Sequence, residues 1–148
     1  MSDQISSRVA EELTALSPVL DALRNGLGDD LVAVVLFGSQ ARGEADSQSD
    51  WDLLVIAENL PDSPWHRQKQ ILALLPQEWR HQVNVLAYTS AEWFARVTPL
   101  ALDITLDGIM LYESTRALIS TRLSALRKQL FNLGLERQAI GEGEWIWL

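Results

Sequence analysis

Two short apolar segments, separated by a polar stretch, constrain the fold of this chain more than any other part of its sequence. Leu31 to Phe37 (LVAVVLF) and Trp51 to Ala57 (WDLLVIA) are apolar runs bounded by turn residues, a pattern typical of strands buried on both faces. The segment Gly38 to Ser49 between them is polar and has room for one short helix. The sequence therefore predicts two buried strands that hold the two ends of this polar segment.

The remaining apolar patterns predict helices around a small sheet. An apolar stripe from Ile5 to Leu27 predicts an N-terminal helix. At Ser17-Pro18 this helix either kinks or starts again, with Ser17 as its cap and the proline in its first turn. The order of all elements indicates an α/β (α+β) fold, a small mixed β-sheet flanked by helices. Its other elements are strands at Val83 to Tyr88 and Ile109 to Tyr112, and helices from Ser63-Pro64 to Leu75, from the Thr89/Glu92 capping box, over Ala101 to Leu106, and from Ser114 to Leu133.

The composition narrows the domain organisation and the kinds of site. With 148 residues, 47% of them hydrophobic, the chain can bury the core of one domain. We expect that domain to span 1–148, with a motif region at 30–115 and a C-terminal helix and apolar tail at 114–148. Cysteine is absent from the sequence, so a metal site has to use oxygen or imidazole ligands, and hard cations are favoured.

The net charge and the hydropathy of the sequence limit the partners and the cellular location that we expect. The 20 acidic and 12 basic residues give a net charge of −8, which repels a phosphate backbone and makes nucleic acid an unfavourable partner. No stretch approaches the roughly 20 apolar residues that span a membrane. The N-terminal residues do not combine a basic region with an apolar run. We therefore expect a cytoplasmic protein without a membrane partner.

The residues directly after the first strand suit the binding of a phosphate group. Gly38 lets the backbone turn sharply and lets a phosphate approach the main chain. Ser39 offers a hydroxyl and an N–H at the start of a short helix, where anions are favoured. Arg42, one turn later, can reach the same phosphates, although it would also suit an exposed helix surface. Gly43 can end this helix.

Two carboxylates stand at the start of the second strand. Residues i and i+2 of a strand point to the same face, so Asp50 and Asp52 should lie side by side while Trp51 points to the opposite layer. Two neighbouring carboxylates repel each other unless a cation lies between them. Mg²⁺ accepts such oxygen ligands and also binds triphosphate oxygens. The pattern indicates in-line attack of a hydroxyl on the α-phosphorus, with release of pyrophosphate.

The stretch from Leu36 to Ile56 resembles the polymerase-beta nucleotidyltransferase superfamily, and most closely its minimal nucleotidyltransferases. The signature of the superfamily is Gly-Ser, a spacer of ten residues here, and Asp-x-Asp. The stretch FGSQARG is typical of the minimal group, and residues 102–113 (LDITLDGIMLYE) resemble its downstream strand. The residues of this chain that match the signature are Gly38, Ser39, Asp50 and Asp52.

This resemblance implies a polymerase-beta-like fold and a Mg²⁺-dependent transfer of a nucleoside monophosphate, AMP in particular, from ATP or another NTP to a hydroxyl. Asp50 and Asp52 would be the catalytic metal ligands, and Gly38, Ser39 and Arg42 would bind the nucleotide. Minimal nucleotidyltransferases include antitoxins encoded beside HEPN-type ribonuclease toxins. The resemblance therefore implies a hydroxyl of such a toxin as the acceptor. Aminoglycoside-modifying relatives give a second enzymatic interpretation.

One position departs from the family pattern. Catalytic members usually supply a third carboxylate from the third core strand, where this chain has Val83-Asn84-Val85. Asn84 is neutral, so it can ligate weakly but cannot act as a general base. An alternative function follows: a nucleotidyltransferase-fold binding module with weakened catalysis, which acts by occluding its partner.

Three further features leave their interpretation open. Asp103 and Asp107, four residues apart on a predicted helix, are expected at the surface, although one could replace the missing acid. The stripe from Ile119 to Leu133 favours core contact over a dimer seam. The apolar tail Trp145 to Leu148 requires cover from its own domain, a second copy or a partner protein.

Overall fold

Four strands form a mixed sheet at the centre of the fold. The computed structural model describes residues 11–44, 49–95, 98–114, 119–134, 137–141 and 144–147. Strand β1 (Leu31–Phe37) lies between two antiparallel neighbours, β2 (Trp51–Ala57) and β4 (Ile109–Glu113). Strand β3 (Val83–Tyr88) pairs with β2 in parallel, so the order across the sheet is β3-β2-β1-β4. The predicted α/β fold with a mixed sheet is confirmed.

Helices connect the strands and cover the sheet, much as the sequence predicts. The C-terminal part of the chain adds a two-stranded antiparallel hairpin that the sequence pattern did not predict. The helices are α1 (Ser17–Leu27), α2 (Gly38–Arg42), α3 (Pro64–Leu74), α4 (Ser90–Ala95), α5 (Pro99–Asp107) and α6 (Ile119–Asn132), with 3-10 turns at Gly28–Asp30 and Gln77–Trp79; the hairpin consists of β5 (Arg137–Gly141) and β6 (Glu144–Trp147).

The two central strands are buried on both faces because their side chains alternate between two apolar clusters. Leu53 and Val55 of β2 face the cluster that includes α1 and α3, whereas Leu54 and Ile56 face the cluster that includes α5 and α6. All four side chains are fully buried. Burial of both faces explains why β1 and β2 are near-continuous apolar runs, as predicted.

Helix starts follow the predicted caps with one exception. Ser63 caps α3 by accepting from the backbone N–H of His66, and Thr89 and Glu92 form the predicted reciprocal capping box at α4. Ser17 does not cap α1, so that alternative was wrong. The N-cap is Leu16, whose side chain cannot accept a hydrogen bond, and Pro18 occupies the first turn.

The remaining sequence predictions concern the two ends of the chain, the absence of a membrane-spanning helix and the packing of α6. The first part of the predicted stripe, from Ile5 to residue 10, lies outside the described residues. The side chains of the apolar tail also lie outside them. Within the described ranges, every helix falls short of the length and apolar character that crossing a bilayer requires. Ile119, Leu123 and Leu130 of α6 are buried, as predicted for a helix that packs on the core, whereas Leu133, the last residue of the predicted stripe, follows the helix and is 73% exposed.

A buried arginine joins α3 to the strand and helix that follow it. Arg67 is 7% exposed, and its guanidinium donates to both carboxylate oxygens of Glu92 at 2.7 and 3.1 Å and to the Ala87 carbonyl at 3.3 Å. Its Nε donates to the Pro61 carbonyl. The hydrogen bond from Arg67, aided by the backbone N–H of Thr89, lowers the pKa of Glu92 to about 2.

Replacing Glu92 with glutamine is expected to lower the free energy of unfolding at neutral pH by about 1 kcal/mol, since the 44% exposure of Glu92 leaves the pair partly screened. The pKa of Glu92 falls from 4.5 to about 2 on folding, so this contribution is present above about pH 4.5 and is lost as the pH falls toward 2. Urea denaturation of both proteins at neutral and acid pH measures it. A difference that stays constant with pH would contradict this account, and Glu78→Gln, at an exposed glutamate, is the control.

Candidate active site

A sharp bend follows β1 and lies directly against a carboxylate of β2. Gly38 has φ +74°, in the left-handed region that favours glycine. The antiparallel register places Phe37 opposite Asp52. A Cβ atom at position 38 would overlap Oδ2 of Asp52 and would lie 3.1 Å from its Cγ. Glycine is therefore required here both by the backbone conformation and by the close approach of the carboxylate.

Helix α2 starts at this bend, ends at Gly43 and is hydrogen-bonded to the segment before β2. Ser39 is its second residue, and Gly43 ends it in the left-handed conformation, as predicted. The side chain of Gln40 donates to the Ser49 carbonyl at 3.3 Å. This bond ties the start of α2 to the residue before Asp50, a link that spacing alone did not reveal. The bend, the helix start and the aspartate pair are thus connected by short-range contacts.

Asp50 lies near enough to Asp52 for its charge to act on that side chain, and Asn84 of β3 bonds to Asp52. The parallel register pairs Asp52 with Asn84, and Nδ2 of Asn84 donates to Oδ1 of Asp52 at 3.2 Å. Burial raises the pKa of Asp52, and the negative charge of Asp50 raises it further, against the hydrogen bond from Asn84 and the charge of Arg42. Asp50 lies just before β2 and is exposed, whereas Asp52 is partly buried. Trp51 packs against the opposite cluster, as predicted.

Arg42 lies near the Asp50/Asp52 pair, and its guanidinium contacts the carboxylates of two other residues. Its Nε donates to Oε2 of Glu44 at 2.9 Å, and its Nη1 lies 3.8 Å from Oδ2 of Asp107. The side chains of Arg42 and Asp107 are 18% and 15% exposed. The expectation that Asp107 is a surface residue was wrong, because the end of α5 packs near α2 and turns this carboxylate toward Arg42.

The side chains at this site suit a hard divalent cation. Asp50 and Asp52 offer carboxylate oxygens, Ser39 offers a hydroxyl, and Asn84 can present its amide oxygen if its side chain turns over. The repulsion that raises the pKa of Asp52 is the kind that a bound cation relieves. Within the described part of the chain, no three His, Cys, Asp or Glu side chains cluster at metal-binding distance. The site thus offers two carboxylates, with Asn84 at the neighbouring position.

Comparison with known proteins places this chain in a family. The family described as "Polymerase beta, Nucleotidyltransferase" matches residues 24–117, more than half of the chain. The chain belongs to this nucleotidyltransferase family. The match includes the Gly38 bend, the aspartate pair and all four strands of the central sheet, and it confirms the superfamily that the sequence resembles.

A curated relative and two solved structures share parts of this chain. A Methanocaldococcus jannaschii protein that is named a protein adenylyltransferase is 50% identical over 54 residues, which are 36% of this chain and 37% of that protein. A toxin–antitoxin structure with AMP-PNP gives a TM-score of 0.52 at 18% identity over 79% of this chain and 90% of that one. A Sulfolobus solfataricus nucleotidyltransferase structure gives 0.52 at 17% identity, over 76% and 90%. Both structures share the nucleotidyltransferase fold.

Proposed function

We propose that this nucleotidyltransferase transfers AMP from ATP to a hydroxyl of a partner protein. The observation that carries the proposal is the contact between the Gly38 bend and Asp52, with Asp50 and Arg42 close enough to change the pKa of Asp52. A phosphate-binding bend and a pair of metal-binding carboxylates at one point are what phosphoryl chemistry on a nucleotide requires. Gly38, Ser39 and Arg42 bind the triphosphate, and Asp50 and Asp52 hold Mg²⁺.

Each residue has a defined task in the transfer. The acceptor oxygen forms a bond to the α-phosphorus while the bond from that phosphorus to the bridging oxygen breaks, and pyrophosphate leaves. Mg²⁺, when bound, offsets the negative charge of the transition state. Arg42 contributes donors to the phosphates, and Asn84 orients Asp52 through its hydrogen bond. Asn84 cannot accept a proton, so the hydroxyl proton passes to solvent.

Two of the similar proteins support the choice of AMP and of a protein acceptor. The name of the M. jannaschii relative assigns it transfer of adenylate to protein, and the toxin–antitoxin structure of the same fold was determined with an ATP analogue. The resemblance to minimal nucleotidyltransferases adds the class of acceptor, a HEPN-type toxin. The chain would then act as an antitoxin by modifying a hydroxyl of its toxin.

The direct test is transfer of AMP to the protein encoded beside this chain. Both proteins are mixed with ATP and Mg²⁺, and intact mass is measured for each. The expected result is one or more AMP units on the partner. ATP with a methylene group between its α- and β-phosphorus atoms is the matched control, since it cannot release AMP. Absence of any added mass with each of the common nucleoside triphosphates would overturn the proposal.

A binding module is the second candidate, and the contact of Asn84 with Asp52 favours it. A neutral side chain occupies the position beside Asp52 at which a third carboxylate is expected. In this alternative the fold is kept and the chain neutralises its partner by covering it. Neutralisation that survives the loss of both aspartates, without added mass on the partner, would establish this alternative.

Replacing Asn84 with aspartate is expected to increase AMP transfer by about 10²-fold, the usual contribution of a positioned general base. The new carboxylate would stand in register with Asp52, where it can accept the hydroxyl proton and add a metal ligand. Initial rates over a Mg²⁺ titration measure this effect, and Asn84→Ala shows what loss of the amide alone does. A rate equal to or below that of the wild type would contradict the proposed role of this position.

A further inference from the structure

Helix α3 carries an exposed tryptophan that is fixed by its neighbours. Trp65 is 62% exposed. Nζ of Lys69 lies 5.0 Å from the centre of its ring, and the His66 ring meets it edge-on at 5.2 Å. These contacts hold the indole in one orientation at little further entropic cost on binding. A tryptophan beside a groove can supply a large contact area to a partner protein.

A shallow groove with a volume of about 500 Å³ runs from this tryptophan to the loop before β3. The chain as a whole has a net charge of −8, yet none of the described residues that line the groove is acidic. Its basic side chains therefore form a local positive region on an acidic protein. The lining residues are Trp65, Gln68, Lys69, Leu72, Ala73, Arg80 and His81.

The far wall of the groove is also fixed in place. Arg80 donates from Nε to the Leu75 carbonyl and from Nη2 to the Ala73 carbonyl, both at 3.1 Å. These bonds satisfy carbonyl groups at the end of α3 and hold the guanidinium against the groove. The charge of Arg80 has no carboxylate partner within ion-pair distance among the described residues. The groove thus presents preformed positive charge next to an apolar floor.

The far wall of the groove lies at the end of the sheet at which β2 and β3 begin, which is also the end that carries the candidate active site. The Gln82 carbonyl, next to His81, accepts a hydrogen bond from the backbone N–H of Trp51 at 2.8 Å. Trp51 stands between the two aspartates of the site. Helix α3 and the Trp51 side chain pack on one face of the sheet, whereas Asp52 shares the other face with Leu54 and Ile56. A protein seated in the groove would therefore lie at the active-site end of the sheet and leave the face of Asp52 open.

We propose that this groove docks the acceptor protein through an acidic amphipathic helix. Trp65, Leu72 and the residues between them form a ridge at helical spacing, which suits packing against a second helix. Lys69, Arg80 and His81 would face the acidic side chains of that helix. Nucleic acid fits less well, because Lys69 covers one face of the indole, where a base would stack, and the net charge repels a long phosphate chain.

Binding is tested on the full chain without ATP. The probe is a twelve-residue peptide that a covalent side-chain staple holds in a helix, with leucine at spacings of three and four and glutamate elsewhere. Its affinity for each protein is measured by the fluorescence anisotropy of a dye on the peptide, and in the wild type the NMR signal of the Trp65 indole N–H, assigned with Trp65→Phe, shows that the peptide binds at the groove. Trp65→Ala and Lys69→Glu are each expected to weaken binding by about tenfold or more. The matched controls Phe131→Ala and Lys128→Glu alter an exposed aromatic and a lysine on α6 and should leave binding unchanged.

Three results would overturn the docking proposal. They are equal binding of the same peptide with lysine in place of glutamate, binding that Lys69→Glu leaves unchanged, and displacement of the peptide by a twelve-nucleotide oligouridylate. Lys69 is exposed, so its variant should fold normally. Only the assignment of the docked protein as acceptor rests on the proposed function. Peptide binding without AMP transfer to any partner would sink the proposed function alone, whereas transfer that proceeds without peptide binding would sink the docking surface alone.

Discussion

Replacement of both Asp50 and Asp52 by asparagine is expected to reduce AMP transfer by about 10³-fold or more, the scale on which loss of transition-state charge stabilisation acts. The variant keeps the size of both side chains but offers only weak neutral oxygens to Mg²⁺. Its fold should be retained or slightly stabilised, because the burial of the Asp52 charge and its repulsion by Asp50 are removed. The rate of AMP transfer measures the effect on the reaction. A thermal melt followed by circular dichroism measures the effect on stability.

The matched control for this pair is Asp21→Asn together with Asp62→Asn. Both residues are exposed aspartates outside the site, so this variant has the same change in net charge. It should transfer AMP at the rate of the wild type. Transfer by the Asp50/Asp52 variant within about tenfold of the wild-type rate would show that these two aspartates do not carry the reaction.

Replacement of Gly38 by alanine is expected to lower AMP transfer by about 10²-fold, the cost of misplacing a catalytic group by about 1 Å. The new methyl group would overlap Oδ2 of Asp52, so the bend or the carboxylate has to move. The left-handed backbone at φ +74° adds strain of about 1–2 kcal/mol. Transfer rates and the free energy of unfolding in urea separate the two contributions.

Gly134 offers a control in which only the backbone strain is present. Its φ is +69°, close to that of Gly38, but a Cβ atom there would meet no atom within 4 Å among those the structure describes. Gly134→Ala should therefore lose stability of about 1–2 kcal/mol and keep full activity. If Gly134→Ala and Gly38→Ala reduced transfer equally, contact between the bend and Asp52 would have no part in catalysis.

The sequence predicted the parts of the fold in which local pattern and tertiary burial agree. The bounds of β1, β2 and β3 are as predicted, because each is an apolar run closed by turn residues at both ends. The short helix after Gly38 and its end at Gly43 followed from glycine chemistry. The proximity of the bend to Asp52 followed from two strands that are neighbours in both sequence and sheet.

Other features depend on contacts between distant segments and left no local signal. Asp107 and Arg42 meet because α5 packs near α2, and nothing in the spacing of α5 indicates this. Ser17 has the side chain of a typical helix cap, but it is the first residue of the helix, and Leu16 occupies the N-cap position. The C-terminal hairpin was missed because Arg137–Gly141 mixes polar and apolar residues without the clear apolar run of the inner strands.

The location of Asn84 on a separate strand from the Gly38 bend has an evolutionary consequence. The bend and both aspartates lie within one short stretch of chain, from the end of β1 to the start of β2, whereas the third position arrives from β3 after the α3 crossover. A single substitution on β3 can therefore change the side chain that contacts Asp52 while the unit formed by the bend and the two aspartates stays intact. Under the proposed function, the rate of AMP transfer and the binding of the partner can therefore change independently of each other in evolution.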